Sequence, residues 1–189
     1  MHSKFLSGCL CLLFIGMALG LTGKEAYGMK PSHENARRIK RVYQAQYVGT
    51  SEQVFPLLCP VLEYDWLEHW KADILYTESG VAEMDCIFRT CFDPEAPQVW
   101  TVIRYEPNRC IKFLIVNQYH VTRYTIILQN HEDGTSSGMW EQVITALNPE
   151  GDAYLDTLTE SVYAARQENI ARRLNYYLET GKMYHDAEH

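Results

Sequence analysis

The chain has 189 residues, which fits one domain that is large enough to bury a substantial hydrophobic core. Hydrophobic residues make up 47% of the sequence and charged residues 22%, as is ordinary for a globular protein. The formal net charge is −7 at pH 7, which argues against nucleic acid as a partner because phosphate binding requires a basic surface.

The N-terminal segment, residues 1–28, differs in character from the rest of the chain. A short positive start, MHSK, precedes an apolar run over residues 5–21, and Ala26-Tyr27-Gly28 then brings small residues ahead of Met29. This layout is typical of an export signal, or of a membrane anchor where the segment is not cleaved. It predicts an exported protein, or one associated with a membrane through residues 5–21, whose folded domain spans residues 29–189. The alternative is translation from Met29, which predicts a cytoplasmic protein.

Four cysteines lie in the domain: Cys59, Cys86, Cys91 and Cys110. An even number permits disulfides in an exported protein, but free and half-buried thiols fit the sequence at least as well. The sequence contains no C-x-x-C pair, so the usual spacing for redox catalysis or for structural zinc is missing. We therefore expect neither a metal nor a cofactor.

The first predicted elements of the domain are a strand and a short helix. β-branched and aromatic residues dominate residues 41–48, as they do in strands. Thr50 and Gln53 have the spacing of a capping box, which predicts the start of a helix. Pro56 disturbs this helix and Pro60 ends it, because each proline lacks a backbone donor.

A second short helix is predicted from about Leu62 to Trp70. Trp66 and Trp70 are four residues apart, so both are expected to project from one helix face. The acids of the same stretch are then expected to face solvent: Glu63, Asp65 and Glu68. We interpret this stretch as the wall and lid of an interior, not as a reactive centre.

Six further strands are predicted where the apolar residues take a period of two. They cover residues 74–78, 84–92, 99–106, 111–117, 121–129 and 139–147. Turn residues separate them, among them Asp93-Pro94 and the run His131 to Gly134. The connections are too short for crossover helices, so an antiparallel meander is expected.

The last predicted element is one long helix. Pro149 and Gly151 mark its approach, and apolar residues from Leu155 to Tyr177 recur at helical spacing. Gly181 follows where a left-handed residue ends a helix. The whole order predicts an α+β domain in which a curved antiparallel sheet of about seven strands wraps around the long helix, with the short helices closing one end. Such an arrangement often leaves a cavity.

This order of elements resembles the START-like (SRPBCC) superfamily. The motifs that carry the likeness are CPVLEYDWLEHW after the first strand, CIFRT and WTVIRYEP in the third and fourth strands, and NPEG at the last helix. The likeness covers residues 43–181. It implies a helix-grip fold around a deep apolar pocket, which relatives use for lipids, sterols, plant hormones or polyketides. Some relatives are cyclases or dehydratases, some carry ligands, and some are co-chaperones.

Two residue pairs could carry chemistry, and both have a simpler interpretation. Cys59 and His69 are ten residues apart, which is not the signature of a catalytic pair, so Cys59 is interpreted as a packed thiol. Asp65 and His69 could hold a metal from one helix face, but the further ligands of a zinc site are missing. An exposed pair is the favoured reading. The sequence predicts no catalytic residue and no metal ligand.

The predicted pocket wall consists mainly of aromatic residues, because tyrosine and tryptophan combine an apolar ring with a polar atom. Polar side chains that turn inward from strands would orient the polar end of a ligand. The candidate ligand-binding residues are Tyr64, Trp66, Trp70, Phe88, Arg89, Trp100, Tyr105, Phe113, His120, Tyr124, Trp140 and Glu141.

The sequence therefore predicts a domain that binds a hydrophobic small molecule or lipid in an internal cavity, as a carrier or sensor without chemistry. Two alternatives stay open. One is a cyclase- or hydrolase-type enzyme that uses Arg89, His120 or Glu141 as acid, base or oxyanion partner. The other is a protein-interaction module whose pocket is filled by its own side chains.

Overall fold

The computed structural model describes residues 36–186, which form seven strands and three α-helices. The strands are β1 (Arg38–Tyr47), β2 (Ala72–Tyr76), β3 (Ile87–Thr90), β4 (Gln98–Glu106), β5 (Cys110–Val116), β6 (His120–Asn130) and β7 (Ser136–Ala146). The helices are α1 (Ser51–Val54), α2 (Pro149–Thr157) and α3 (Glu160–Thr180). Two 3₁₀ segments, Phe55–Leu58 and Leu62–Asp65, lie between β1 and β2. The predicted N-terminal segment, residues 1–28, lies outside the described residues.

The strands form one antiparallel sheet in the order β1-β7-β6-β5-β4-β3-β2. From β2 to β7 each strand pairs with the next in the chain, which confirms the predicted meander. β1 joins the sheet beside β7. Asn108 and Gly134 have positive φ angles of 61° and 83° in the turns before β5 and β7, and such residues allow the chain to reverse tightly.

One face of the sheet is buried against α3, and β5 shows how the sequence sets this face. Ile111, Phe113 and Ile115 are buried, whereas Leu114 between the last two is exposed, because successive strand side chains point to opposite faces. The buried residues form one core cluster with Ala171 and Leu174 of α3. The predicted α+β fold, a sheet wrapped on a long C-terminal helix, is confirmed.

The predicted single C-terminal helix is two helices. Asn148 caps α2 by accepting a hydrogen bond from the backbone N of Gly151 at 2.9 Å. A new helix begins after Thr159, whose hydroxyl accepts from the backbone N of Val162 at 3.2 Å. The prediction missed this break because the apolar period continues across it. Gly181, with φ at +65°, ends α3 as predicted.

The predicted helix over residues 62–70 is also wrong in extent. Only a 3₁₀ turn forms, and turns and bends follow it, including a positive φ of 64° at His69. Two indole groups fix this irregular path: Trp66 Nε1 donates to the Leu57 carbonyl at 2.9 Å and Trp70 Nε1 to the Pro60 carbonyl at 2.8 Å. The stretch is therefore held by side chains in place of a helical ladder.

Within residues 36–186, no helix is long and apolar enough to cross a membrane. The four domain cysteines are free thiols, of which Cys59, Cys86 and Cys110 are buried and Cys91 is exposed.

Candidate functional site

A cavity of about 440 Å³, the outer chamber, lies between the buried face of the sheet and α3. Trp100, Ile115, Thr122, Tyr124 and Gln142 line it from the sheet, and Tyr163, Gln167 and Ile170 line it from α3. Leu67 and Trp70, from the irregular stretch after the 3₁₀ turn, close one side. The helix α3 and the stretch before β2 thus cover the concave face of the sheet but leave a space between themselves and the sheet.

A smaller cavity of about 90 Å³, the inner chamber, adjoins the outer one. The two share five lining residues: Leu67, Trp70, Trp100, Tyr124 and Ile170. The remaining walls of the inner chamber are Leu58, Glu63, Phe88, Phe113, Ile126 and Trp140. The inner chamber is therefore an aromatic recess that contains one carboxyl group.

The aromatic wall is tightly packed. The rings of Phe88 and Trp100 stack at 5.2 Å, Trp100 meets Phe113 edge-on at 5.6 Å, and Tyr124 lies 5.8 Å from Trp140. Contacts of this kind contribute about 0.5–1.5 kcal/mol each beyond area burial. The wall is therefore rigid and presents ring surfaces to anything inside.

The polar atoms of the indoles are already used by the protein. Trp100 Nε1 donates to Thr90 Oγ1 at 3.0 Å and Trp140 Nε1 donates to the Tyr47 hydroxyl at 2.7 Å. Trp70 Nε1 is bound to a backbone carbonyl, as described above. Because these indole N–H groups already donate to protein acceptors, the indoles offer a ligand mainly apolar contact.

Glu63 is the exception to this apolar lining. Its backbone is fixed, since its N–H donates to Cys59 O at 2.9 Å and its carbonyl accepts from Leu67 N at 2.8 Å. Glu63 is partly buried, and desolvation by the surrounding protein raises the pKa of its carboxyl group to about 8. Among the described residues, none forms a hydrogen bond or ion pair with this carboxyl group.

Glu63 corrects the prediction that the acids of this stretch face solvent. Side chains at i and i+3 of a 3₁₀ turn eclipse one another, so Glu63 lies on the same side as buried Trp66. Asp65 is exposed as predicted. Glu68 is half-buried and binds Arg173 at 3.6 Å and His185 at 3.0 Å. Carboxylates are rarely buried, and sequence reasoning therefore placed Glu63 outside.

Tyr124 and Gln167 join the sheet to α3 across the outer chamber. The Tyr124 hydroxyl donates to Gln167 Oε1 at 3.1 Å, and both side chains are buried. Burial raises the pKa of Tyr124 well above its ordinary value, so the phenol stays protonated. Tyr163 OH donates to the Trp140 carbonyl at 3.1 Å and fixes the same helix one turn earlier.

His120 lies in the wall of the outer chamber, with its ring stacked on Tyr154 at 4.6 Å. Its nitrogens are 3.3 Å from Thr122 Oγ1 and 3.3 Å from Asn117 Nδ2. Burial lowers the pKa of His120, so the imidazole is neutral at pH 7. The contacts with Tyr154, Thr122 and Asn117 fix the orientation of the His120 ring in the cavity wall.

Seven of the candidate residues line the two chambers. Trp70, Trp100 and Tyr124 line both, His120 lines the outer one, and Phe88, Phe113 and Trp140 line the inner one. Their positions on the buried face follow from strand alternation, apart from Trp70.

The other five candidates lie elsewhere. Tyr64 is exposed and bonds the backbone of Ala72, and Trp66 is buried in the core. Arg89 and Glu141 project from the opposite sheet face, where Arg89 pairs with Asp73 at 2.8 Å and Glu141 pairs with Lys40 at 2.6 Å. Tyr105 lines a separate cavity of about 240 Å³. A bulge between Val102 and Arg104 shifts the register of β4 before Tyr105.

The pairs considered for chemistry do not form a reactive centre. Cys59 Sγ accepts from the backbone N of Ala82 at 3.1 Å and lines the separate cavity of Tyr105, while His69 is exposed. Arg89 and Glu141 lie on the outer sheet face, so they cannot act together with His120. Within residues 36–186 no cluster of three or more His, Cys, Asp or Glu side chains could hold a metal.

A larger groove of about 840 Å³ lies on the surface between β1 and α3. Exposed polar side chains line much of it, including Gln44, Glu168 and Arg172. The two chambers are less open than this groove and their lining is more strongly apolar, so they are the better candidate site.

Sequence reasoning missed the contribution of α3 and of Glu63. Gln167 and Ile170 look like ordinary residues of an amphipathic helix, and only the break after α2 sets which of them face the sheet. No sequence pattern distinguishes Glu63 from Asp65 and Glu68, two nearby acids with which it shares the expected solvent-facing position.

Comparison with solved structures identifies the fold. Norcoclaurine synthase from Thalictrum flavum matches with a TM-score of 0.53 and 14% identity, over 87% of this chain and 99% of that one. A protein from Rhodobacter sphaeroides matches with a TM-score of 0.53 and 21% identity, over 75% of this chain and 91% of its own. DynU16, from the dynemicin biosynthetic locus, matches with a TM-score of 0.53 and 14% identity over 76% of this chain. The match covers 48% of DynU16, so the chain spans about half the length of that protein.

No protein-family model matches the sequence, and no curated protein sequence matches it either. These structural neighbours are at most 21% identical to the chain, so they establish the fold alone. The chain therefore has a helix-grip fold, as the order of elements in its sequence predicts.

Proposed function

We propose that this protein binds a hydrophobic small molecule or lipid in the outer and inner chambers and serves as a carrier or sensor. The observation that carries the proposal is the pair of adjoining chambers of about 440 and 90 Å³, walled by aromatic rings. Ligand sites in proteins are concave, mostly apolar and supplied with a few fixed polar groups, and the two chambers have each of these properties.

Apolar contact would supply most of the affinity. A ligand of two fused rings that buries about 250 Å² of apolar surface gains about 6 kcal/mol, at roughly 25 cal/mol per Å². Loss of translational and rotational freedom offsets part of that gain. Because the wall is packed and hydrogen-bonded before a ligand arrives, little further ordering is required. A net gain of about 6 kcal/mol would correspond to a Kd of about 40 µM, so with the offset we expect affinities of about 0.1–1 mM for a ligand of this size.

Access to the cavity would occur where its lining is exposed. His69, Phe92 and Arg166 line the outer chamber and are exposed, and the ring of Phe92 lies 5.6 Å from that of Trp70. Movement of the Phe92 side chain would widen this rim without breaking the sheet. The polar end of a ligand could stay near Arg166 while the apolar part enters.

The first test is native mass spectrometry of gently purified protein, followed by titration with the fluorescent apolar probe ANS. A matched pair of variants places the binding site. Ile115→Trp adds bulk to the outer chamber, whereas Val116→Trp adds it at the next residue, which is exposed on the opposite face. We expect Ile115→Trp to weaken ANS binding at least tenfold and Val116→Trp to leave it unchanged. Equal affinities in both variants would contradict the proposal.

One observation favours a second candidate, an acid–base enzyme that uses the same cavity. With a pKa of about 8, the carboxyl group of Glu63 could give or take a proton near neutral pH. It has no second reactive group beside it among the inner-chamber residues except the phenol of Tyr124. Turnover that is lost in Glu63→Gln while binding persists would support the enzyme over the carrier.

A further inference from the structure

The carboxyl group of Glu63 lacks a partner among the described residues that would compensate for its lost hydration. It lines the inner chamber, and no residue among 36–186 forms a hydrogen bond or ion pair with it. Buried polar groups are almost always satisfied, because an unpaired carboxyl loses the hydrogen bonds that water would give. The carboxyl group of Glu63 in the inner chamber is therefore available to bind a polar or charged group of a ligand.

Most of the other residues that line the inner chamber are aromatic. Phe88, Trp100, Phe113, Tyr124 and Trp140 line the same small chamber, and Trp70 lines it from the side of the irregular stretch. The indole N–H groups of Trp70, Trp100 and Trp140 are all bonded to other parts of the protein. The chamber therefore offers a ligand several aromatic rings and one acid.

Among possible ligand groups, a cation gains most from this combination. Aromatic faces attract an ammonium group by their quadrupole, worth about 0.5–2 kcal/mol per favourable contact. A carboxylate adds a charge-assisted hydrogen bond, roughly twice as strong as a neutral one. An anionic ligand end would be repelled by the aromatic faces and by the carboxyl group in its ionised form. A neutral oxygen would gain one hydrogen bond from the protonated acid and nothing from the rings.

We propose that the ligand is an apolar molecule with a basic amine, and that Glu63 binds the ammonium group in the aromatic inner chamber. This inference rests on the proposed binding function and adds the chemical class of the ligand. The apolar body of the ligand fills the outer chamber, and its ammonium group points into the inner chamber. Glu63 is thus the residue that determines specificity at the deep end of the cavity.

Binding of an ammonium group requires Glu63 to lose its proton. The group is mostly protonated at pH 7 when the chamber is empty, because burial raises its pKa to about 8. The one other titratable lining group of the inner chamber is Tyr124, whose pKa is also raised by burial. The outer chamber adds His120, Tyr154, Tyr163, Arg166, His69 and Glu68, the last of which pairs with Arg173 and His185.

The experiment compares two probes of the same shape, naphthalen-2-ylmethylamine and naphthalen-2-ylmethanol, by isothermal titration calorimetry. The protein variants are wild type, Glu63→Gln and, as matched control, Asp65→Asn, which neutralises an exposed acid two residues away. We expect wild type and Asp65→Asn to bind the amine about tenfold more tightly than the alcohol at pH 8. Glu63→Gln should lose that preference and keep its affinity for the alcohol.

The proton provides a second readout. Between pH 6 and 8 the affinity of wild type for the amine should rise by up to tenfold per pH unit, because one proton leaves as the amine binds. Titrations in two buffers of different ionisation enthalpy should show this proton release, and Glu63→Gln should not. Alcohol binding that equals amine binding in wild type would overturn the inference and leave the cavity function standing. Failure of both probes and of ANS to bind would overturn both proposals.

Discussion

The buried acid at the deep end of the cavity makes the stability of the empty protein depend on pH. Glu63 has an ordinary pKa of 4.5 in the unfolded chain and a pKa of about 8 in the folded one. The folded state therefore holds one more proton than the unfolded state between these two values. Its contribution to stability is fully present below pH 4.5 and is lost as the pH rises through 8.

The size of the effect follows from the two pKa values. One proton of difference lowers the free energy of unfolding by about 1.4 kcal/mol per pH unit. Between pH 5.5 and 7.5 the wild type should lose about 2.5 kcal/mol through Glu63. Glu63→Gln removes the titration and keeps nearly the same shape, so its stability should lack this slope.

The assay is urea denaturation of wild type, Glu63→Gln and Asp65→Asn at half-unit steps from pH 5.5 to 8.5. Any other group that titrates in this range does so equally in all three proteins. The informative quantity is therefore the difference between Glu63→Gln and wild type, which should grow by about 2.5 kcal/mol over the first two pH units. Asp65→Asn should stay parallel to wild type. If the curve of Glu63→Gln also ran parallel, the carboxyl group would not be buried as described.

Three further predictions test the packing around the site. Trp66→Phe should cost about 1–3 kcal/mol, because the Leu57 carbonyl loses its indole donor, yet ANS affinity should not change since Trp66 lines neither chamber. Gly151→Ala should destabilise the protein by about 1–3 kcal/mol in thermal unfolding, because its Cβ would lie 2.1 Å from the carbonyl oxygen of Tyr119. Arg173→Met should cost about 3 kcal/mol in urea denaturation, because it strips a buried guanidinium from Glu68 and from the backbone of Tyr184.

The strands and their order could be predicted because each depends on a local pattern. Alternation of apolar and polar residues gave the meander, and short turns excluded crossover helices. The last helix could not be divided in advance, because Thr159 acts as an N-cap only where the preceding backbone leaves the helix. The 3₁₀ path after Pro60 depends on indole bonds to the Leu57 and Pro60 carbonyls, which no periodicity reveals.

The candidate site was predictable on the sheet and not elsewhere. Phe88, Phe113, Tyr124 and Trp140 follow the strand period and line the chambers. Glu141, next to Trp140, falls on the opposite face by the same rule, so the period itself could have excluded it. Residues outside strands have no such rule, and polarity alone is a poor guide where a 3₁₀ turn sets the direction of a side chain.

Stability and binding make opposite demands on the same carboxyl group. In the empty protein, ionised Glu63 is destabilising, and a glutamine would remove that pH-dependent cost. In the proposed complex, the same charge is compensated by an ammonium group and the rings around it, so the ligand should stabilise the folded protein most where the empty protein is weakest. The gain in midpoint temperature from naphthalen-2-ylmethylamine should therefore be larger at pH 8 than at pH 6, and it should be independent of pH in Glu63→Gln. A gain in midpoint temperature that is larger at pH 6 than at pH 8 in wild type would show that ionised Glu63 does not bind the amine.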